Sequence, residues 1–263
     1  VRRYARLFWV QARASIAIAM QYRVDFVIQG VMSLYWLAWN LVPLLILYAS
    51  RDVIAGTWDF SAALVVIAWF TMLRGLLEGA INPSLVDVVE RIRTGSFDYV
   101  LLKPADTQFL VSTTRFEPWK LVDAVGGVAL ATYAFWLRGH APAASDVALA
   151  AVMLVSAAVI LYSLWILVVS AAFWVVRLDN LTYLFTAVFD AARWPVQVFR
   201  GVWRFVFTFV IPLALMTTYP AMAVLGRLDA TTTAACLGGA AAFCLLSRAL
   251  WLLAIRSYTS ASS

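Results

Sequence analysis

The amino-acid sequence predicts an all-α, polytopic membrane protein: one bundle over residues 1–263, with about six transmembrane helices and an amphipathic helix ahead of the first. Three observations lead there. Of the 263 residues, 64% are hydrophobic and only 13% are charged, about half the charged share of an average soluble domain. The mean hydropathy is +0.87. The apolar residues come in runs long enough to cross a hydrocarbon core of ~30 Å. A soluble fold of this size could not hide so much apolar surface, so the solvent for it is lipid.

Residues 1–23 carry Arg2, Arg3, Arg6, Arg13 and Arg23, with Tyr4, Leu7, Phe8, Val10, Ala14 and Ile18 between them at roughly helical spacing. That pattern is a basic amphipathic helix lying on a membrane surface. Spans follow at about Phe26–Tyr48, Phe60–Ile81, Trp119–Leu137, Val147–Val169 and Thr232–Ile255. About 20 residues at 1.5 Å each suffice for a crossing. Before the last span lies an apolar stretch, Leu181–Leu225, broken by Arg193, Pro195, Arg200, Arg204, Pro212 and Pro220; it counts as one net crossing. The first apolar run is too long for the core of a secretory signal, and no small-residue cleavage site follows it, so it is expected to stay in the membrane.

Loop charge sets the orientation. With the N-terminus in the cytoplasm, the inside segments hold the N-terminal arginines, Arg91, Arg93, Lys103, Arg115, Lys120, Arg177 and Arg256. The outside loops hold mainly Arg51, Arg138 and Arg227. Both termini are therefore expected inside. The net charge of +6 belongs to this bias and to anionic lipid; nucleic acid is not expected as a partner. Cys236 and Cys244 are separated by about 12 Å of helix rise, too far for a disulfide. The lone His140 sits in a short outer loop and gives no metal cluster.

Residues 82–104 read NPSLVDVVERIRTGSFDYVLLKP. Asn82 can cap a helix whose first residue is Pro83. Asp87 sits toward the positive end of that helix, Arg91 and Arg93 toward its negative end. Gly95 can take the left-handed conformation that stops it. Leu85, Val88, Val89 and Ile92 form an apolar stripe; Asp87, Glu90, Arg91 and Thr94 form the polar face. The expectation is a separate short helix, 83–95, lying across the cytoplasmic surface between the second and third spans. Such a helix either docks into a cytoplasmic partner and carries force into the bundle, or tidies a surface loop.

Several of these segments resemble ABC-2-type permeases, the membrane subunits of a class of ABC exporters. They are the basic amphipathic N-terminus, the loop run ERIRTGSFDYVLLKP, VVRLDNLTYLF entering the fifth span, RWPVQVF leaving it, and TYPAMAVLG before the last span. The loop run is the most specific, and the resemblance covers nearly the whole chain. It implies that 83–95 is a coupling helix seated in a separate ATPase, with Asp87, Glu90, Arg91 and Arg93 in docking and Gly95 as hinge or stop. It implies that 1–23 is a connecting helix beside the ATPase. It implies that 200–226 is a pair of re-entrant half-helices near the outer leaflet. A competing layout makes about Val202–Ala221 the fifth full span and 180–198 a cytoplasmic interfacial helix. The resemblance also implies two permease chains, identical or related, with a cytoplasmic ABC ATPase dimer, in the inner membrane of a bacterium.

The residues place ATP chemistry elsewhere. A P-loop needs a glycine-rich turn ending in Gly-Lys-Ser/Thr. Lys103 and Lys120, the only lysines, do not follow a glycine. The chain is thus expected to be no enzyme and to hold no cofactor, with ATP and Mg in the partner ATPase. Ionisable residues inside spans are costly and so are candidates for function. Arg74 and Glu78 are four apart on the second span, Asp190 and Arg193 three apart near the end of the fifth, so each pair shares a helix face. They line a substrate path, or they satisfy one another near span ends. A different reading, an ion-coupled secondary transporter, would use Glu78 or Asp190 as its intramembrane carboxylate. An integral membrane enzyme would need clustered acids or histidines, and the sequence offers no convincing set. Arg248 is expected to snorkel to the cytoplasmic interface. Short outer loops and an aromatic share of 14% suit an amphipathic or lipid-like substrate.

Overall fold

The computed structural model describes residues 2–21, 23–174 and 186–258. Among these, five helices are long and apolar enough to cross a membrane, and a bent helix pair brings the number to six if it spans. The expected all-α polytopic architecture is what the chain adopts. The run VVRLDNLTYLF (175–185), with Arg177, lies outside the described residues.

The chain opens with α1 (Arg2–Gln21) and α2 (Arg23–Tyr48). A small hairpin then reverses it, β1 (Val53–Ile54) antiparallel to β2 (Trp58–Asp59), with Val53 opposite Asp59 and Ile54 opposite Trp58. Next come α3 (Phe60–Leu76), a π turn (Leu77–Ile81) and α4 (Asn82–Arg93). Two short helices, α5 (Asp98–Leu101) and α6 (Thr107–Ser112), precede the long α7 (Leu121–Arg138) and α8 (Ala144–Ala171). The bent pair has limbs Val202–Val210 and Ala214–Val224 at 67°. It starts as α9 (Val202–Phe205) and ends as α10 (Tyr219–Val224), and α11 (Ala230–Ser257) follows.

Side-chain contacts sort these elements between two ends. At one end, Arg3 of α1 donates to the Pro104 carbonyl, and Tyr258 just past α11 packs on Phe97. At the other, Arg138 and Arg227 both lie near Asp59 of the hairpin, at 3.4 and 3.9 Å. The first is the arginine-rich end, the second the hairpin end.

α3 is the central post. Every residue from Ser61 to Thr71 is buried. It packs along α7, while α8 packs along α11. The α3–α7 approach depends on glycine. A Cβ on Gly127 would stand 2.6 Å from Met72 Cγ and 2.8 Å from the Ala68 carbonyl oxygen; one on Gly75 would stand 3.0 Å from the Lys120 carbonyl oxygen. Small residues that let backbones meet are a main device of helix association in lipid.

The expected separate surface helix at 83–95 is corrected by the structure. α3, the π turn and α4 form one 34-residue helix, Phe60–Arg93. Proline lacks an N–H and crowds the carbonyl four residues back. Here that carbonyl belongs to Gly79, and it accepts the Glu117 amide at 2.8 Å instead. The π turn loosens the ladder at the place where Pro83 would break it, so the helix passes through. Asn82 is no cap: it makes no capping hydrogen bond, and its Oδ1 is buried without a donor among the described residues.

Ile211 and Pro212 break the bent pair, with π turns at Val206–Val210 and Ala214–Thr218 on either side. The second limb is fastened at its middle. Thr217 donates to the Ala192 carbonyl at 2.7 Å, and the Val196 amide donates to Thr218 Oγ1 at 3.1 Å. Just beyond its end, Arg227 donates to the Thr57 carbonyl of the hairpin at 3.1 Å.

Candidate functional site

Besides the Asp59 contacts at the hairpin end, two places among the described residues gather polar chemistry: the block 82–117 at the arginine-rich end, and a group of charges between α2, α3 and α7.

In the block, the apolar stripe of α4 faces inward as its spacing predicts. Leu85 and Val88 are fully buried, with Val89 and Ile92 packed on the same core. The polar residues pair along the helix: Arg91 Nε lies 2.6 Å from Asp87 Oδ2, and Arg93 Nη2 lies 2.7 Å from Glu90 Oε2. Glu90 and Arg93 are exposed. Asp87 and Arg91 instead line a cleft of about 590 Å³ roofed by α1. Gly95, at φ 74°, ends the helix as expected. Phe97, next in the loop, is fully buried, edge-on to Phe173, Trp251 and Tyr258. Tyr99 and Leu102 then project outward, 71% and 79% exposed. They form a bare apolar tip seated on a buried anchor.

The block is fastened on three sides. To α1, the Asp106 amide donates to the Tyr4 hydroxyl (3.1 Å), Thr113 Oγ1 donates to Gln11 Oε1 (2.6 Å), and the Phe116 amide donates to Ser15 Oγ (3.1 Å). To α8, Gln108 donates to the Tyr162 hydroxyl at 3.1 Å, and Ser112 lies 2.8 Å from the same oxygen. To α11, Arg248 forks onto Asp106 Oδ2 at 2.6 Å and Gln108 Oε1 at 2.8 Å. Asp106 also caps α6, accepting from the Phe109 amide at 3.0 Å. Partial burial pushes the Asp106 carboxyl up, but the Arg248 hydrogen bond, the Phe109 amide and the Arg248 charge outweigh it, so its pKa lies below the usual value.

Between the helices, Arg74 and Glu78 pair as predicted, Arg74 Nε to Glu78 Oε1 at 2.7 Å. The pair is not isolated. Lys120, at the foot of α7, donates to the other oxygen of Glu78 and lies 3.9 Å from Asp123. Gly75 of α3 and Gly79 of the π turn make this possible, because each presents only a hydrogen where Lys120 crosses the helix. Arg193 and Asp190 also meet, though in a single 3-10 turn rather than on an α-helical face. Arg193 Nε donates to the Asp190 carbonyl at 2.8 Å, and its Nη2 lies 3.8 Å from the carboxylate. Its Nη1 reaches α2 and donates to Asn40 Oδ1 at 3.1 Å. The two predicted pairs are therefore parts of a larger polar seam.

The sequence reading missed Lys120 and Asp123 as members of that seam, and it counted Lys120 only as a loop charge. The available signal was the Gly75–Gly79 spacing, which marks a face of the Phe60–Arg93 helix open to a close neighbour. It also read Arg248 as a snorkelling side chain, whereas Arg248 is the fork that holds Asp106. No local pattern announces that pairing, because the partners lie 142 residues apart.

No curated protein and no solved structure matches the chain. A family model described as ABC-2 family transporter protein matches residues 34–262, from the middle of α2 past the end of α11. That match takes in the 82–117 block and the whole charged seam. A helical bundle with five to six candidate spans, an arginine-rich end and a family match over most of its length has one reading: the chain belongs to the ABC-2 transporter family and is a membrane permease of that family.

Proposed function

We propose that the chain is the membrane-spanning subunit of an ATP-driven exporter, pairs with an identical or related permease, and is driven by a separate cytoplasmic ATPase that holds the ATP and Mg. The observation that carries this reading is the bare tip of Tyr99 and Leu102 on a block clamped to α1, α8 and α11. An exposed apolar knob fits a partner surface. Force applied to it enters the bundle only where the knob is stiffly joined to the helices, and Phe97 with the Asp106–Arg248 fork supplies that joint. Because α4 continues α3, a push on the block also acts along the central helix.

In this reading Gly95 is the stop that turns the chain onto the tip. Glu90 and Arg93 are the charged contacts of the docking face, while Asp87 and Arg91 seat the connecting helix α1. Closure of the ATPase dimer tilts the α3–α4 helix and exchanges inward and outward access. Arg74, Glu78, Asp190 and Arg193 line the pathway. The limbs of 200–226 are re-entrant near the outer face, a reading that their 67° bend supports. The basic residues around α1 and the block support cytoplasmic termini. The membrane is read as the inner membrane of a bacterium.

The test is co-purification with the ATPase partner and its stimulated hydrolysis. Tyr99→Asp with Leu102→Asp is expected to lower both by about tenfold or more, because the knob is the anchor of the contact. Exchanging the charges of the docking face, Glu90→Arg with Arg93→Glu, is expected to lower hydrolysis with the subunits still expressed. Full binding and full activity in the Tyr99/Leu102 variant, with thermal unfolding unchanged, would sink the reading.

A further inference from the structure

α2 carries a polar stripe inside an otherwise apolar span. Gln29, Ser33, Trp36 and Asn40 recur at helical spacing on one side and cover about 16 Å of the helix axis. They border a cavity of about 270 Å³ whose opposite walls are α3 and α7. Those walls carry Arg74, Glu78, Lys120 and Asp123. Of the Arg74 guanidinium, only Nε is taken up, by Glu78; its two terminal nitrogens donate no hydrogen bond within the described residues. At the upper limit of the stripe stands Asn40, bonded to Arg193.

The neighbouring face of α2 is equally out of place for lipid. Tyr35, Trp36 and Trp39 sit at the centre of the 24–48 span and are 52%, 47% and 54% exposed, with Tyr35 stacked on Trp39. Tyrosine and tryptophan belong where their polar tips meet water or a partner, at membrane interfaces, not at mid-depth against hydrocarbon. A charged cavity beside them adds a second cost if that face met acyl chains.

We propose that this cleft is a water-filled vestibule of the transport pathway, open to the cytoplasmic side, closed above at Asn40–Arg193, and completed by the partner permease lying against the mid-span aromatics of α2. The proposal rests on the permease reading given above and adds the place and chemistry of the half-pathway. Charges of both signs alternate along it, Arg74, Lys120 and Arg193 against Glu78, Asp123 and Asp190. A wall balanced in this way does not select a net ion; it solvates a zwitterionic or uncharged hydrogen-bonding group. The substrate end that enters it is of that kind, with its apolar part against Trp36 and Met32.

The test is thiol accessibility in the full chain, in a Cys236→Ala, Cys244→Ala background. Gln29→Cys and Met32→Cys, which border the cavity and are not buried, are compared with Leu34→Cys, which faces a shallow apolar groove on the other side of α2. The probes are a cationic and an anionic methanethiosulfonate of similar size, added to inside-out vesicles, with each rate divided by that of a free thiol in solution. A thiol reacts as the thiolate and so needs water. Both vestibule positions are expected to react at least about tenfold faster than Leu34→Cys, with the two probes agreeing within about fivefold. Rates equal to that of Leu34→Cys, or a larger preference for one charge, overturn the proposal. The readout needs no ATPase, so loss of coupling at Tyr99 and Leu102 and loss of accessibility here are separate failures.

Discussion

α2 and α3 are both long apolar helices of similar composition, but they are built inside out with respect to each other. In α3 every side chain from Ser61 to Thr71 is buried, most of them aliphatic or aromatic. Among the described side chains of α2 the buried ones are Ser33, Asn40 and Leu44, while Ile28, Val31, Leu34, Leu45 and Ile46 are exposed. In water such a helix could not stand. In a bilayer lipid is as good a neighbour for leucine as protein is, so the apolar side faces outward and the few polar groups turn in to find partners. Burial in this molecule therefore follows packing geometry and polarity, not hydrophobicity.

The comparison can be broken most directly at the glycine contact. Gly127→Leu places a side chain where Met72 Cγ and the Ala68 carbonyl already stand, and is expected to lower stability by at least about 3 kcal/mol, or to abolish folding. Gly30→Leu on α2, whose Cβ would meet only Val122 Cγ2 at 3.9 Å, is expected to fold normally. Thermal unfolding in detergent measures both.

A cavity pair sharpens it. Leu64→Ala in α3 empties a fully packed site and is expected to cost about 2–5 kcal/mol. Leu45→Ala on the outer side of α2 removes contact with lipid alone and is expected to change stability by less than about 0.5 kcal/mol. Equal effects at the two positions would show that α2 is packed as deeply as α3.

The polar seam gives a third contrast. Lys120→Met leaves one Glu78 oxygen without its donor in a half-buried place, a loss of about 1.5–3 kcal/mol. Glu78→Gln in the same chain is expected to recover part of it, because the stranded charge is gone.

The smallest effect concerns the Arg248–Asp106 fork, which is more than a third exposed on the arginine side and is discounted for solvent accordingly. Arg248→Met is expected to cost about 1 kcal/mol or less at neutral pH. The Asp106 pKa is depressed, so its contribution is present above the unfolded carboxyl value of about 4 and disappears as pH falls through the lower folded value. The variant should accordingly approach the parent in stability on acidification, and a gap that stays constant down to low pH would remove Asp106 from the account.

Part of the site was legible early. The stop at Gly95 and the inward stripe of Leu85 and Val88 follow from local spacing, and so does the Arg74–Glu78 pair. The role of Pro83 was not legible. A proline after asparagine is a good helix start in isolation, and only the Glu117 amide, brought in by the returning chain, lets the helix run through it. Tyr99 and Leu102 read as ordinary residues of an apolar run until the burial of Phe97 leaves them outside.

What the sequence determined by itself was the helical kind of the crossings, the places of five of them, and the end at which the arginines gather. A bilayer offers no partner for backbone amides, so long apolar segments must be helical whatever their neighbours are. What only the tertiary structure decided was which helix stands at the centre, which charges share a seam, and which side chains of the 82–117 block remain bare. Those depend on contacts between residues far apart in the chain, set by glycine clearances and hydrogen bonds that local spacing does not encode.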